Sequence, residues 1–246
     1  MMIISGIWKV DHSSGSRRFK RSTFEFAIKG ILEMRIIILT MLTASILLLV
    51  NCSKELIETE PDGYFTDSRD GQEYPYVEIG SQTWMMKNLA YDAGNGSWVY
   101  DEKDKFITDY GRLYSFDVAV KACPDGWHLP SDLDWKILEI CQGMDVHSAD
   151  SVDWRRSGDV AIPLKNTAGW YSGGNGNNNS KFTALPGGFR SSGGVFFFMG
   201  DIANYWTSSY TSEDLAWGRA MIYYESGVYR FRYDKQEAFS VRCLKN

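Results

Sequence analysis

Four cysteines, three histidines and a large stock of aromatic rings are the side chains here with chemistry to offer. A thiol serves as nucleophile, metal ligand, attachment point or half of a disulfide, and its surroundings decide which. Cys52 closes an uncharged stretch that begins at Ile36, Cys123 precedes Pro124, Cys141 ends an apolar-periodic run, and Cys243 lies close to the C-terminus. The histidines, His12, His128 and His147, are scattered. None sits in H-E-x-x-H, and neither G-x-S-x-G nor a phosphate-binding P-loop occurs. His128, inside Trp127-His128-Leu129-Pro130, reads as a structural histidine rather than a base. Asp150, Asp153 and Asp159 supply oxygen atoms of the kind calcium prefers, but their setting reads as a solvated acidic loop. No catalytic group, metal or cofactor is expected.

The aromatics point toward binding. Trp154, Trp170, Tyr171, Phe196, Phe197, Phe198 and Tyr210 lie in or beside Gly-rich segments. Three consecutive phenylalanines on a strand cannot all face one core, because side chains alternate. An exposed aromatic face suits stacking on sugar rings or on a protein partner. Trp84, Trp127, Trp135, Trp206 and Trp217 are expected to fill the core. For the loop aromatics, core and binding readings stand side by side. Trp154, Trp170, Tyr171, Phe197 and Tyr210 are the ligand candidates.

These side chains need elements to hold them. Residues 74–79 alternate and are rich in β-formers, Gly80-Ser81 is a turn, and 82–89 continues extended. Residues 114–122 have helical spacing that Pro124 and Asp125-Gly126 stop. A second helix starts after Ser131, a good N-cap, with Asp132 and Asp134 in its first turn and Leu133, Ile137, Ile140 and Cys141 along one apolar face. Residues 145–165 are polar and irregular, and 169–180 is dominated by Gly and Asn. Strands are expected over 182–185, 195–199, 205–209, 216–224, 229–233 and 239–244, with Ser226-Gly227 as a hairpin turn.

Upstream, Arg35 precedes a run uncharged from residue 36 to residue 50. As a helix that run reaches roughly 22 Å, short of a bilayer core of about 30 Å, so it fits a signal peptide better than a spanning helix. Leu49-Val50-Asn51-Cys52 resembles a lipobox, in which the thiol is diacylated and becomes the mature N-terminus; Asn51 stands where Gly, Ala or Ser is usual. Two acyl chains give stable anchoring where one is marginal. The expected organisation is an early-start extension over 1–33, a lipoprotein signal over 34–52, a polar tether over 53–65 and one domain over 66–246. The acidic residues of the tether, Glu55, Glu58, Glu60 and Asp62, resemble a surface-export signal. Residues 1–52 hold seven Lys/Arg and three Asp/Glu of the chain's 26 and 31, so the remainder, with 19 and 28, carries a net −9. That charge repels a polyphosphate backbone and argues against nucleic acid as a partner.

Several blocks in order carry a family resemblance: Asp70-Gly71-Gln72-Glu73-Tyr74 with Ile79-Gly80-Ser81-Gln82-Thr83-Trp84-Met85, then Asn88-Leu89, then Tyr110-Gly111-Arg112-Leu113-Tyr114. Cys123-Pro124-Asp125-Gly126-Trp127-His128-Leu129-Pro130-Ser131, Ala184-Leu185-Pro186-Gly187-Gly188-Phe189-Arg190, Tyr205-Trp206-Thr207-Ser208-Ser209 and Phe239-Ser240-Val241-Arg242-Cys243 follow. The chain resembles the Fibrobacter succinogenes major paralogous domain from about Thr66 to Lys245. That family is similar to C-type lectin-like domains and to the formylglycine-generating-enzyme superfamily. The resemblance implies an α+β fold with two helices, several short antiparallel strands, adjacent terminal strands and long irregular loops. It also implies a disulfide from a helix end to the last strand, matched by Cys123 and Cys243. Cys123–Cys141 is the competing bridge, and in the first arrangement Cys141 is left as a small buried hydrophobe. Formylglycine-generating enzymes need a reactive cysteine pair in the C-terminal half, where this chain has Cys243 alone. The Glu-Pro-Asn, Gln-Pro-Asp and Trp-Asn-Asp elements of calcium-dependent lectins are also missing. The expectation is an outer-membrane or surface lipoprotein that meets the membrane through its lipid and binds a glycan or an envelope protein. A structural envelope protein without a small ligand and a diverged enzyme are the alternatives.

Overall fold

The computed structural model describes residues 60–246. The leader over 34–52, with Cys52, and most of the tether lie outside the described residues. In chain order the strands are β1 (Gly63–Thr66), β2 (Glu73–Ile79), β3 (Gln82–Met85), β4 (Ser97–Trp98), β5 (Leu113–Ser115), β6 (Trp127–His128) and β7 (Asp153–Arg155). They continue as β8 (Gly187–Arg190), β9 (Phe196–Met199), β10 (Ile202–Tyr210), β11 (Leu215–Ile222), β12 (Val228–Asp234), β13 (Ala238–Ser240) and β14 (Leu244–Lys245). The helices are α1 (Ile107–Tyr110), α2 (Phe116–Ala122), α3 (Asp132–Cys141), α4 (Val146–Ala149) and α5 (Ala161–Leu164). Only α2 and α3 exceed a single turn. The fold is α+β, with two sheets.

The first sheet runs β1-β2-β3-β14-β6. The last strand of the chain is thus interior to the sheet that opens it: Leu244 pairs with Trp84 on one side and His128 on the other. Met85 N–H donates to the Cys243 carbonyl at 3.1 Å and Leu89 N–H to that of Val241 at 2.9 Å, so the pairing continues upstream of β14. A disulfide joins Cys123, at the C-cap of α2, to Cys243. The competing Cys123–Cys141 bridge is therefore corrected. Cys141 is not a free thiol either, against the expectation of a leftover cysteine.

The second sheet carries nine strands in the order β4-β5-β13-β8-β10-β11-β12-β7, with β9 paired to β8. The hairpin from β11 to β12 turns through Ser226-Gly227, as its sequence predicts. Residues 182–185 form no strand; Ala184 makes one isolated bridge to Lys165, and pairing resumes at Gly187. The second of the two glycines there has a physical reason. Gly188 has φ +66, and a Cβ on it would collide with the Phe197 carbonyl oxygen, so β9 can lie against β8 only over a glycine.

Helix α3 begins as expected, with Ser131 accepting from Asp134 N–H in a capping box. Its buried face is different. Leu133 and Ile137 are exposed, while Trp135, Leu138, Asp132 and Glu139 are buried. Two carboxylates occupy core positions because arginines wait for them. Glu139 accepts from Arg155 at 2.5 and 2.6 Å and from Arg219 at 2.8 Å. Asp132 accepts from Arg230 through two bonds of 2.8 Å and pairs with Arg219 at 2.9 Å. Burial alone would raise the Asp132 carboxyl; the Arg230 bonds, with Arg219 beside them, outweigh it and hold it well below the usual carboxylate range. This network fastens α3 to the inner face of β7, β11 and β12.

Apolar packing fills the rest. Trp84, Trp135, Phe182 and Tyr205 meet edge-on or tilted at 5.3–5.9 Å. Trp206 stacks on Phe239 at 4.3 Å in a second cluster with Phe116, Trp127 and Cys243. Trp217 is corrected: it is half-buried, with the Arg230 guanidinium 3.8 Å above its ring. The stretch 145–165, expected irregular, contains α4, β7 and α5.

Candidate functional site

The outer face of the second sheet holds the candidate site. Side chains on neighbouring strands line up by register: Asn204 opposite Ala220, Ala220 opposite Tyr229, Tyr229 opposite Trp154. On β11 every second residue of this face is small, Ala216, Gly218 and Ala220; on β12 the residues opposite are Tyr233, Phe231 and Tyr229. The small residues leave room for the rings: a Cβ on Gly218 would lie 2.8 Å from the Tyr233 ring, which therefore needs a glycine beneath it. The result is a groove of about 200 Å³ lined by Trp154, Phe189, Ile202, Asn204, Ala220, Ile222, Tyr229, Tyr233, Glu237 and Phe239. That is below the ~300–1,000 Å³ typical of sites for drug-sized ligands and fits a single ring.

Asn204 and Glu237 stand among these mostly apolar side chains. The Oδ1 of Asn204 is buried without a hydrogen-bond partner. The Glu237 carboxyl has no ion pair or side-chain hydrogen bond among the described residues. Burial pushes it up to about 7, with Asp234 adding to the shift. A folded-state value above the unfolded one, about 4.3, means that this group costs stability as pH rises toward and through 7. Glu237→Gln is therefore expected to raise the thermal midpoint at pH 8 and to leave it nearly unchanged at pH 4. Thermal scans at the two pH values check this, and a midpoint raised equally at both would contradict it.

Of the five predicted ligand residues, Trp154 lines the groove and packs on Tyr229 at 4.9 Å. Phe197 is outside the lining and packs on a lining residue, 5.7 Å from Phe189. Phe198 is in the left-handed region at φ +61, which breaks strand alternation and brings its ring to the same neighbour, 6.0 Å from Phe189. The other three lie apart from the groove, and of these Trp170 is corrected. Trp170 is 5% exposed, belongs to the core and donates its ring N–H to the Ala184 carbonyl. Tyr171 is exposed but rests on Tyr223, and Tyr210 lies under the Lys235 ammonium; neither lines the groove. Asn204, Glu237, Tyr229, Tyr233, Phe189 and Phe239 were not foreseen. The alternation of small residues in 216–220 against rings in 229–233, joined by one hairpin turn, was the readable signal for Tyr229 and Tyr233. Glu237 carried none.

The other candidates are engaged elsewhere. His128 Nδ1 lies 2.6 Å from Asn246 Oδ1. Asp150 pairs with Lys136, Asp153 accepts from Trp154 N–H, and Asp159 accepts from the Ser226 hydroxyl at 2.6 Å. No group of three or more His, Cys, Asp or Glu arranged for a metal is found among the described residues. Lys165 is buried with its ammonium donating to the carbonyls of Ile222, Tyr223 and Glu225; burial lowers it to about 8, with Glu225 opposing. It closes the end of the β11–β12 hairpin and does not reach the groove.

By class this is a mixed α+β domain organised around an aromatic concavity on one sheet. The chain belongs to the Fibrobacter succinogenes major domain family, whose profile matches residues 77–245, more than half of its length. The match begins at Val77, inside β2, later than the sequence blocks imply. No curated protein and no solved structure matches the chain.

Proposed function

We propose that this chain is an envelope lipoprotein, acylated at Cys52, whose domain is a non-catalytic, C-type lectin-like binding module for a glycan or an envelope protein. The aromatic groove on the outer face of the second sheet is the observation that carries the reading. Flat rings around a ring-sized hollow, with few polar groups, are how proteins grip the C–H face of a sugar while leaving hydroxyls to be counted by hydrogen bonds. The lectin-like comparison draws support from the terminal strands sharing one sheet, the two longer helices, and the bridge from the end of α2 to Cys243. Groups able to act as nucleophile and base do not converge on the groove, which favours binding over turnover.

The test is retention of the protein on immobilised polysaccharides and on a glycan array. Tyr229→Ala and Trp154→Ala are expected to weaken retention roughly five- to tenfold each, about 1–1.5 kcal/mol per lost ring contact. Failure to bind any glycan, with an envelope protein recovered instead through a surface unaffected by these variants, would replace the reading by one of assembly. Mass spectrometry of the mature N-terminus tests the anchor: a diacylated Cys52 is expected, and Cys52 recovered unacylated, as a thiol or in a disulfide, overturns it.

A further inference from the structure

The lining of the groove contains one carboxyl and no Lys or Arg. Tyr229, Tyr233 and Asp234, all on β12, are the titratable groups nearest Glu237. The cations of the adjoining strands lie outside the lining. Arg219 of β11 serves Asp132 and Glu139, Arg155 of β7 serves Glu139, and Arg230 of β12 serves Asp132. Arg156 pairs with Glu225, and Lys235 donates to the Ser212 and Glu213 carbonyls. Arg190 of β8 lies over Trp98, and Arg232 of β12 is exposed near Trp217. Asp153 of β7 is the remaining acid nearby, beside Tyr229. No fixed positive charge thus lines the groove.

We infer that the groove takes one uncharged, hydroxyl-rich ring, with the Glu237 carboxyl and the Asn204 amide as its two polar contacts. This rests on the groove being a ligand site and adds the chemical class of the ligand. An orphaned amide oxygen and a carboxyl without a partner are each completed by hydroxyls, which both donate and accept. A ligand carboxylate would instead be buried against Glu237 without a counter-charge, a costly arrangement. The raised titration of Glu237 keeps the donor proton in place below neutrality.

The experiment measures binding of the mature chain to a neutral β-glucan and to polygalacturonate, at pH 6 and pH 8. If the acid form binds and titrates near 7, the dissociation constant for the β-glucan rises about tenfold between these values. Glu237→Gln, whose amide donates at every pH, flattens that profile, and Glu237→Ala weakens binding at pH 6. Polygalacturonate is expected to bind less at both. A flat wild-type profile, a slope that survives in Glu237→Gln, or a preference for polygalacturonate overturns the assignment and leaves the groove as a sugar site of another kind. Absence of binding to either polymer, and to any glycan on an array, removes the site reading together with it.

Discussion

Glu139→Ala is expected to lower the unfolding free energy by about 3–5 kcal/mol, enough to leave much of the protein unfolded at 37 °C. The substitution removes the shared acceptor of Arg155 and Arg219, both fully buried, and strands their charges away from water. Most of the loss comes from that uncompensated charge rather than from the ion pairs themselves. The contrast is testable by urea denaturation. Replacing Glu139, Arg155 and Arg219 together by leucine or methionine is expected to recover most of what Glu139→Ala loses. A single variant within 1 kcal/mol of wild type would show that solvent reaches the network and the account of α3 is wrong.

The second large effect concerns the bridge. Cys123 and Cys243 are separated by 120 positions, and closing a loop of that length restricts the unfolded chain by about 4–5 kcal/mol in the entropy model. The paired variant Cys123→Ala/Cys243→Ala is expected to lower the unfolding free energy read from denaturant titration by a typical 2–5 kcal/mol, with the slope changed because the unfolded ensemble expands. A shift below 1 kcal/mol would mean that strand pairing at Leu244 holds the C-terminus without help.

Local signals were legible where one residue type has one physical use. Ser131 can cap, Pro124 can stop a helix, Ser226-Gly227 can reverse a chain, and each does so. The face of α3 was misread at three positions, because Leu133 and Ile137 look apolar and Glu139 does not. The decision belonged to Arg155 and Arg219, which no reading of the helix alone includes. Trp170 and Tyr171 are neighbours of similar character, yet one is core and one is exposed; a turn at residues 171–173 separates them, and Gly-rich sequence does not say which way it bends. Of the groove, Trp154 was accessible by type. The polar pair was not, because Asn204 and Glu237 are separated by more than thirty residues and meet only through the order of strands β10 and β13.

The placement of β14 inside the opening sheet has a consequence for how the molecule comes into being. The hairpin Glu73–Met85 lies far upstream of Leu244–Lys245, so it stays half-covered until that distant segment reaches its side. Closing this sheet is then slow by virtue of its distant pairings, wherever in the cell the chain folds. Removing Leu244 and Lys245 would open the sheet in its middle, between β3 and β6.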